Sequence, residues 1–385
     1  MTAQQNISQR ASALRSSLIR EIAEQGIGNQ NIIPLWFGEG CWPTSDIAVK
    51  AAAEALGSDD HFYHPNSGKT TLRQQIVSYQ NRLYQRQLSI QNITVTASGM
   101  QALTLASQAI INPCDKVVVI DPVWPNLPEI FKIAGAEIQT ISLEPRAGRW
   151  HLDLDKLLSA LTPQHRAVMI NSPNNPTGWV MSEDEIQAVL AHCRKHNIWI
   201  ITDEVYARLC KSADIAPSFQ HFADAEDNIL SVNSFSKAWS MTGWRLGWIV
   251  APAALESTFA QLTEFNIACP AGFIQSAGEA MLRDGEKEVA LLQRRVAQGY
   301  EILTDGLRQI DRVSFIEPQG AFYLLFAIDG YDDSLALAQK LLQEAEVGLA
   351  PGAAFGSASQ GYLRCCYAQE ADRLEEAVER IKSVL

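Results

Sequence analysis

Residues 231–250, Ser231-Val232-Asn233-Ser234-Phe235-Ser236-Lys237-Ala238-Trp239-Ser240-Met241-Thr242-Gly243-Trp244-Arg245-Leu246-Gly247-Trp248-Ile249-Val250, form the stretch around which the chain is organised. A β-leaning run, residues 231–234, leads into a single lysine, and Arg245 follows between Gly243 and Gly247. This is a turn that presents an amine. Ser234 and Ser236 offer hydroxyls beside Lys237, Arg245 is a permanent planar cation suited to phosphate, and the glycines let backbone approach a bound anion. A small molecule with both an aldehyde and a phosphate would use all of them. Pyridoxal phosphate is such a molecule: a lysine forms a Schiff base with its carbonyl carbon while hydroxyls and arginine hold the phosphate. A surface turn with an ordinary lysine has the same short pattern, so the rest of the chain must decide between the two.

At 385 residues the chain is long enough for two domains and a sizeable core. Its 31 basic against 43 acidic side chains give a net charge of −12, with no basic run, which speaks against nucleic acid as a partner. Seven scattered cysteines without a C-x-x-C pair suit a reducing compartment, the cytoplasm, and argue against zinc. No apolar run approaches the ~18 residues of a membrane helix, and the N-terminus lacks an apolar signal core. His192 and His196, four apart beside Cys193, have metal-like spacing, but no further ligand cluster accompanies them, and a solvated helix face accounts for them.

Short β-rich runs alternate with helical patterns. Strands are expected at residues 93–96, 116–120, 137–141, 167–170, 198–202, 229–234 and 247–250. Helices are expected at 47–57, 70–86, 101–111, 127–133, 153–161, 182–196 and 252–265. Ahead of these, apolar residues at three- and four-residue steps predict one helix over residues 8–25, a packing arm ending at Gly26. Such βα alternation implies an α/β fold: a mainly parallel seven-stranded sheet between helices, with functional residues at the strands' carboxyl ends. After a long helical pattern at 286–307, strands at 313–316, 322–326 and 362–366 and helices at 334–345 and 371–384 form a smaller α+β unit. The expected division is an arm and part of the small domain at 1–44, a large domain at 45–285 and a small domain at 286–385.

Several residues sit where chemistry would need them. Asn174-Asn175-Pro176-Thr177-Gly178 follows a strand and leaves the Asn175 amide free to donate, although a simple turn looks the same. Asp203 ends a buried strand, where a carboxylate needs a partner; a protonated pyridine nitrogen or a helix cap would serve. Arg364 lies in an apolar strand and must be paired, by a substrate carboxylate or a structural one. Trp124 offers a face for stacking on a flat ring, or is a core residue.

With Lys237, Arg245, Asn175, Asp203, Tyr206 and Arg364 in this arrangement, the chain resembles the class I/II aminotransferases, pyridoxal-phosphate enzymes of fold type I, from Ile32 to the C-terminus. The resemblance implies that Lys237 is the Schiff-base lysine, that Asp203 pairs with the pyridine nitrogen, and that Asn175 and Tyr206 bond the ring's 3-hydroxyl. Ser234, Ser236 and Arg245, with the backbone of Ser98, Gly99 and Met100, would hold the phosphate, and Trp124 would stack on the ring. Gly38, Asn175 and Arg364 would receive the substrate α-carboxylate. Tyr63 would reach the phosphate of a neighbouring subunit, which implies a homodimer with shared sites.

Such an enzyme moves an amino group between an L-amino acid and a 2-oxo acid in ping-pong fashion. A carbon–sulfur β-lyase could be built on the same constellation. A regulator's cofactor-sensing module would need a DNA-binding domain, and the roughly 30 residues before Ile32 are too few for one. Gly38-Glu39-Gly40-Cys41-Trp42 departs from the family's G-E-P-D-F segment, Met100 stands where some members are polar, and no second arginine is evident for a distal carboxylate. Trp36, Phe37, Trp42 and Phe322 lie in segments that the resemblance places near the substrate, so bulky apolar or aromatic amino acids are expected to react better than aspartate.

Overall fold

The β-branched runs form strands buried on both faces, as a sheet covered on two sides requires. In this computed structural model, which describes residues 7–225 and 227–385, a seven-stranded sheet has the order Ile93–Thr96, Gly247–Val250, Ile229–Ser234, Trp199–Asp203, His165–Asn171, Lys116–Asp121, Glu137–Ser142. Gly247–Val250 runs antiparallel to both neighbours, and the other six strands point one way. The last residues of those six, among them Asn171, Asp203 and Ser234, therefore share one edge. The α/β class and the mainly parallel seven-stranded sheet are as expected.

Apolar clusters fill both faces of the sheet. One joins Leu72, Ile76, Phe235, Trp239, Trp248 and Met281; another joins Leu103, Leu105, Leu127, Phe131 and Phe259. Helix Gly272–Asp284 in the first layer is absent from the sequence expectation, because Gly272 and Gly278 weaken its helical pattern. Those glycines serve packing: a Cβ on Gly278 would come within 2.5 Å of Leu246 Cδ2 and 3.2 Å of the Phe235 ring.

A second, antiparallel sheet has the order Val313–Ile316, Tyr323–Ile328, Leu363–Cys366, Ala350–Pro351. Ile33–Pro34 pairs in parallel with Val347–Gly348, so the start of the chain joins this second unit. The single helix expected over residues 8–25 is instead two, Gln9–Ser12 and Leu18–Glu24. Ser8 and Ser17 each cap a new start by accepting a backbone N–H, and that local bond competes with a continuous helix. From Pro34 the chain runs on along this second unit: Leu35 N–H donates to Gly348 O at 2.8 Å and Cys366 N–H to Leu35 O at 3.0 Å.

Candidate active site

A cavity of about 500 Å³ opens at the shared strand edge. Lys237, just past strand Ile229–Ser234, is partly buried there and donates from Nζ to the Gly38 carbonyl at 2.5 Å. Burial lowers the Lys237 amine to about 8. Asp203, at the end of its strand, is buried; its Oδ1 accepts the Val205 N–H at 3.2 Å, and among the described residues no cation forms a salt bridge with it. Burial pushes its carboxyl up to about 6, against the pull of that N–H and of Lys237.

Another part of the cavity lining suits an anion. Helix Gly99–Ile110 aims its first turn at the cavity, where Gly99 and Met100 line the wall and their N–H groups lack intrahelical acceptors. The Ser98 hydroxyl caps this helix by accepting Gln101 N–H at 3.1 Å and stands behind the wall. Gly247 makes the approach possible. A Cβ there would meet Gly99 N at 2.8 Å and Asn233 O at 2.7 Å, both backbone atoms. Ser234 and Ser236 hydroxyls meet at 2.9 Å, and Arg245 donates to Thr242 O at 2.5 Å. Among the described residues no carboxylate pairs with Arg245, whose guanidinium burial alone holds below its ordinary value.

Arg364, 2% exposed, forms the third corner. It donates to Asn175 Oδ1 at 2.8 Å and to the Trp36 carbonyl, and its Nε has no partner among the described residues. Its charge lies 4.5 Å from the Tyr323 ring centroid and 4.8 Å from that of Phe355, with no carboxylate paired to it among the described residues. Asn175 is held by its own backbone, N–H to Asn171 Oδ1 at 2.8 Å and carbonyl to Trp124 N–H at 2.8 Å, so its side-chain NH₂ is the donor left over. The Tyr206 and Tyr323 hydroxyls share a bond of 2.5 Å, and burial pushes both phenols up.

Gly38, Gly99, Met100, Trp124, Asn175, Asp203, Tyr206, Ser234, Ser236, Lys237, Arg245 and Arg364 thus line one cavity. Tyr63 does not; it is 86% exposed on the surface of the chain. Of the four aromatic residues expected near the substrate, only Phe37 lines the cavity. Trp36, Trp42 and Phe322 are buried in the apolar cluster around the second sheet, where Trp36 fills the space that a Cβ on Gly348 would take. Sequence reasoning missed Tyr323, Asn171 and the arm residues Ser17, Ile19 and Arg20 as wall residues. A hydroxyl inside the apolar run Phe322 to Phe326 was the one available signal for Tyr323. His192 spends its Nε2 on Leu161 O at 2.6 Å.

A cationic turn, a buried acid at a strand's end and an amine on one cavity suit a cofactor that carries phosphate, a basic ring nitrogen and a carbonyl. Pyridoxal phosphate fits, because the unpaired Arg245 and the close approach at Gly247 leave room and charge for its phosphate. Residues 31–381 match the family model "Aminotransferase class I and II". Aspartate aminotransferase of Pyrococcus horikoshii is 31% identical over 98% of this chain and 97% of that protein. The solved structure of aspartate aminotransferase from Thermus thermophilus with maleate is 28% identical, covers 99% of this chain and 100% of its own, and has a TM-score of 0.93. The aspartate aminotransferase structure from Thermotoga maritima is 30% identical, with coverage of 98% and 99% and a TM-score of 0.90. This chain belongs to the class I and II aminotransferases, pyridoxal-phosphate enzymes that move an amino group between an amino acid and a 2-oxo acid.

The burial of Asp203 has a measurable consequence. Its folded pKa is raised from 3.8 to about 6, so its cost is absent below pH 3.8, grows as pH rises, and is complete above about pH 6. A shift of about 2 units corresponds to about 3 kcal/mol. In cofactor-stripped protein, the unfolding free energy of Asp203→Asn relative to the parent should rise by about that amount between acid and neutral pH. Urea titrations across the range check this; a constant difference would mean that Asp203 is not buried as a charge.

Proposed function

We propose that Lys237 is the covalent attachment point of the cofactor and the base of the reaction, with Arg364 receiving the substrate α-carboxylate. When bound, pyridoxal phosphate supplies a carbonyl for amine exchange and a cationic ring that draws electrons from Cα. The observation that carries the reading is the convergence, in one cavity, of a lowered lysine amine, a buried acid without a salt bridge and two arginines that no carboxylate pairs among the described residues.

Each residue then has a role. At about 8, the Lys237 amine is close enough to neutrality for Nζ to move a proton at Cα. Asp203 would pair with the ring nitrogen, whose positive charge would offset the cost of its burial. Asn175 and Tyr206 would bond the ring hydroxyl, and Trp124 would stack on the ring. Ser234, Ser236, Arg245 and the turn from Ser98 to Met100 would hold the phosphate. The named relatives are aminotransferases, which favours transfer over carbon–sulfur elimination.

The active form is a homodimer in this reading, with Tyr63 reaching the partner's phosphate. Support comes from the exposure of Phe62, Tyr63 and Phe265, large aromatic surfaces that a second copy would cover. In this reading residues 1–44 and 286–385 belong to a small domain and 45–285 to a large one, with residues 1–6 and 226 outside the described residues; the pairing of Ile33–Pro34 with Val347–Gly348 supports that division. The cytoplasm suits the seven unpaired cysteines, and among the described residues no helix is long and apolar enough to cross a membrane.

Three tests follow from these roles. After borohydride treatment of the loaded enzyme, peptide mass analysis should find the cofactor fixed to Lys237, and Lys237→Ala should carry none; a labelled peptide elsewhere would displace Lys237. Arg364→Ala should lose about 2–5 kcal/mol, roughly thirty- to several-thousand-fold in kcat/KM for amino acids. Arg364→Lys should lose much of this too, because a point charge cannot replace the planar fork. A decarboxylated amine should show little penalty, and equal losses for amine and amino acid would make Arg364 structural. Mixing Tyr63→Phe with Lys237→Ala chains should give hybrid dimers with one site holding both native residues, and full activity from a sedimenting monomer would refute the shared site.

A further inference from the structure

We propose that Asp60 is a positioning residue for the cofactor site of a second copy of this chain: it clamps the base of the turn that presents Tyr63, so that the phenol is in place before the cofactor binds. The inference rests on the homodimer reading above, in which Tyr63 reaches the partner's phosphate. It assigns a task to a charged cluster that lies outside the cavity lined by Lys237 and Arg364.

Phe62 is 72% exposed and Tyr63 86%, so little packing holds the tip of this turn. Its base is different. Asp60 Oδ1 accepts His64 Nε2 at 2.6 Å, and Oδ2 accepts Lys69 Nζ and Ser276 Oγ, each at 2.8 Å. Lys69 Nζ also donates to Ser276 Oγ at 2.8 Å. Burial pushes the Asp60 carboxyl up, but its bonds to Lys69, Ser276 and His64 outweigh burial and hold it below its ordinary value. The main chain is tied as well. His64 N–H donates to Cys269 Sγ at 3.3 Å and Lys69 N–H to Gln275 Oε1 at 2.8 Å, and the Gln275 amide donates to Pro270 O at 2.8 Å.

These contacts fasten the turn to helix Gly272–Asp284 and to the residues just before it, and Gly272 makes room for them. A Cβ there would come within 2.3 Å of His64 Nε2 and 2.6 Å of Asp60 Oδ1. The anchors at Asp60 and His64 bracket Tyr63, and His64 is its immediate neighbour, so the backbone between them is fixed at both ends. One carboxylate that holds an imidazole, an ammonium and a hydroxyl is a network, which keeps a geometry that an isolated surface pair does not. An asparagine could not replace it, because its NH₂ would face the Lys69 or the His64 donor. A turn ordered in advance spares cofactor binding the cost of ordering the phenol.

The test measures the Kd of pyridoxal phosphate for the cofactor-stripped protein by calorimetry, with sedimentation to count chains. Tyr63→Phe should weaken binding about ten- to hundredfold, the usual range for a lost hydrogen bond to a charged group. Asp60→Asn should weaken it about two- to tenfold, the range for one side chain left to be ordered on binding. Adding Asp60→Asn to Tyr63→Phe should change nothing further, because the residue being positioned has lost its hydroxyl. The effect should also act across the dimer. In hybrids of Asp60→Asn with Lys237→Ala chains, the one lysine-bearing site receives Tyr63 from the chain with native Asp60, so borohydride fixation at Lys237 should show the parent's affinity. A weakened lysine-bearing site in that hybrid, losses that add in the double variant, or an unchanged Kd in Asp60→Asn would overturn the proposal while leaving Tyr63 in its role. A parental Kd in Tyr63→Phe would overturn both readings. If Asp60→Asn unfolds or dissociates, Lys69→Met, which keeps the contact of Asp60 with His64, takes its place, and full cofactor affinity in that variant would overturn the proposal.

Discussion

The Lys237 amine donating to the Gly38 carbonyl is the contact on which the site depends. It joins a turn at the edge of the large sheet to a segment carried by the second sheet, 199 residues away in sequence. An amine out of water prefers its neutral form, and the lowering to about 8 is that preference expressed. The same seclusion raises Asp203, and among the described residues no carboxylate pairs with the buried Arg364. Buried charges without a counter-ion are costly to fold, on the order of several kcal/mol for an isolated ion. A chain that keeps three such groups around one cavity stores an affinity for ligands that complete them.

Close approach is the second requirement, and glycine meets it twice. At Gly38 a Cβ would occupy the place of the Tyr323 hydroxyl, which is bonded to Tyr206. At Gly247 a Cβ would push the first turn of helix Gly99–Ile110 away from the sheet and remove its N–H groups from the cavity wall. In both places the absent side chain lets a polar group of another segment reach the cavity. In the proposed reading the large sheet furnishes the groups for the cofactor, whereas Gly38 and Arg364, carried by the second unit, furnish those for the substrate. Chemistry and specificity therefore reside on different segments and can vary separately.

Much of this was legible in the chain itself. Continuous β-branched runs separated by helical periods dictate a covered, mainly parallel sheet, and in such a sheet the residues after each strand gather at one edge, whatever the loops do. That is why Lys237, Asp203, Asn175 and Ser234, each at or just beyond a strand, occupy one cavity as expected. Arg364 was legible for another reason: a guanidinium in an apolar strand is an anomaly that demands a partner.

The remainder depends on contacts that no local pattern encodes. The helix at Gly272–Asp284 forms despite its glycines because Leu246 and Phe235 press against it. The arm breaks in two because Ser17 caps a second start, and only the burial of Ile19 against Phe355 brings Arg20 to the cavity. Trp36 and Trp42 look like pocket residues in sequence and are core residues in space, since the pairing of Ile33–Pro34 with Val347–Gly348 turns this segment inward. Periodicity and residue type determined the sheet, its functional edge and the chemistry placed there. Which side chains face the substrate was decided by long-range packing, because a side chain's surroundings are set by whatever else must be buried beside it.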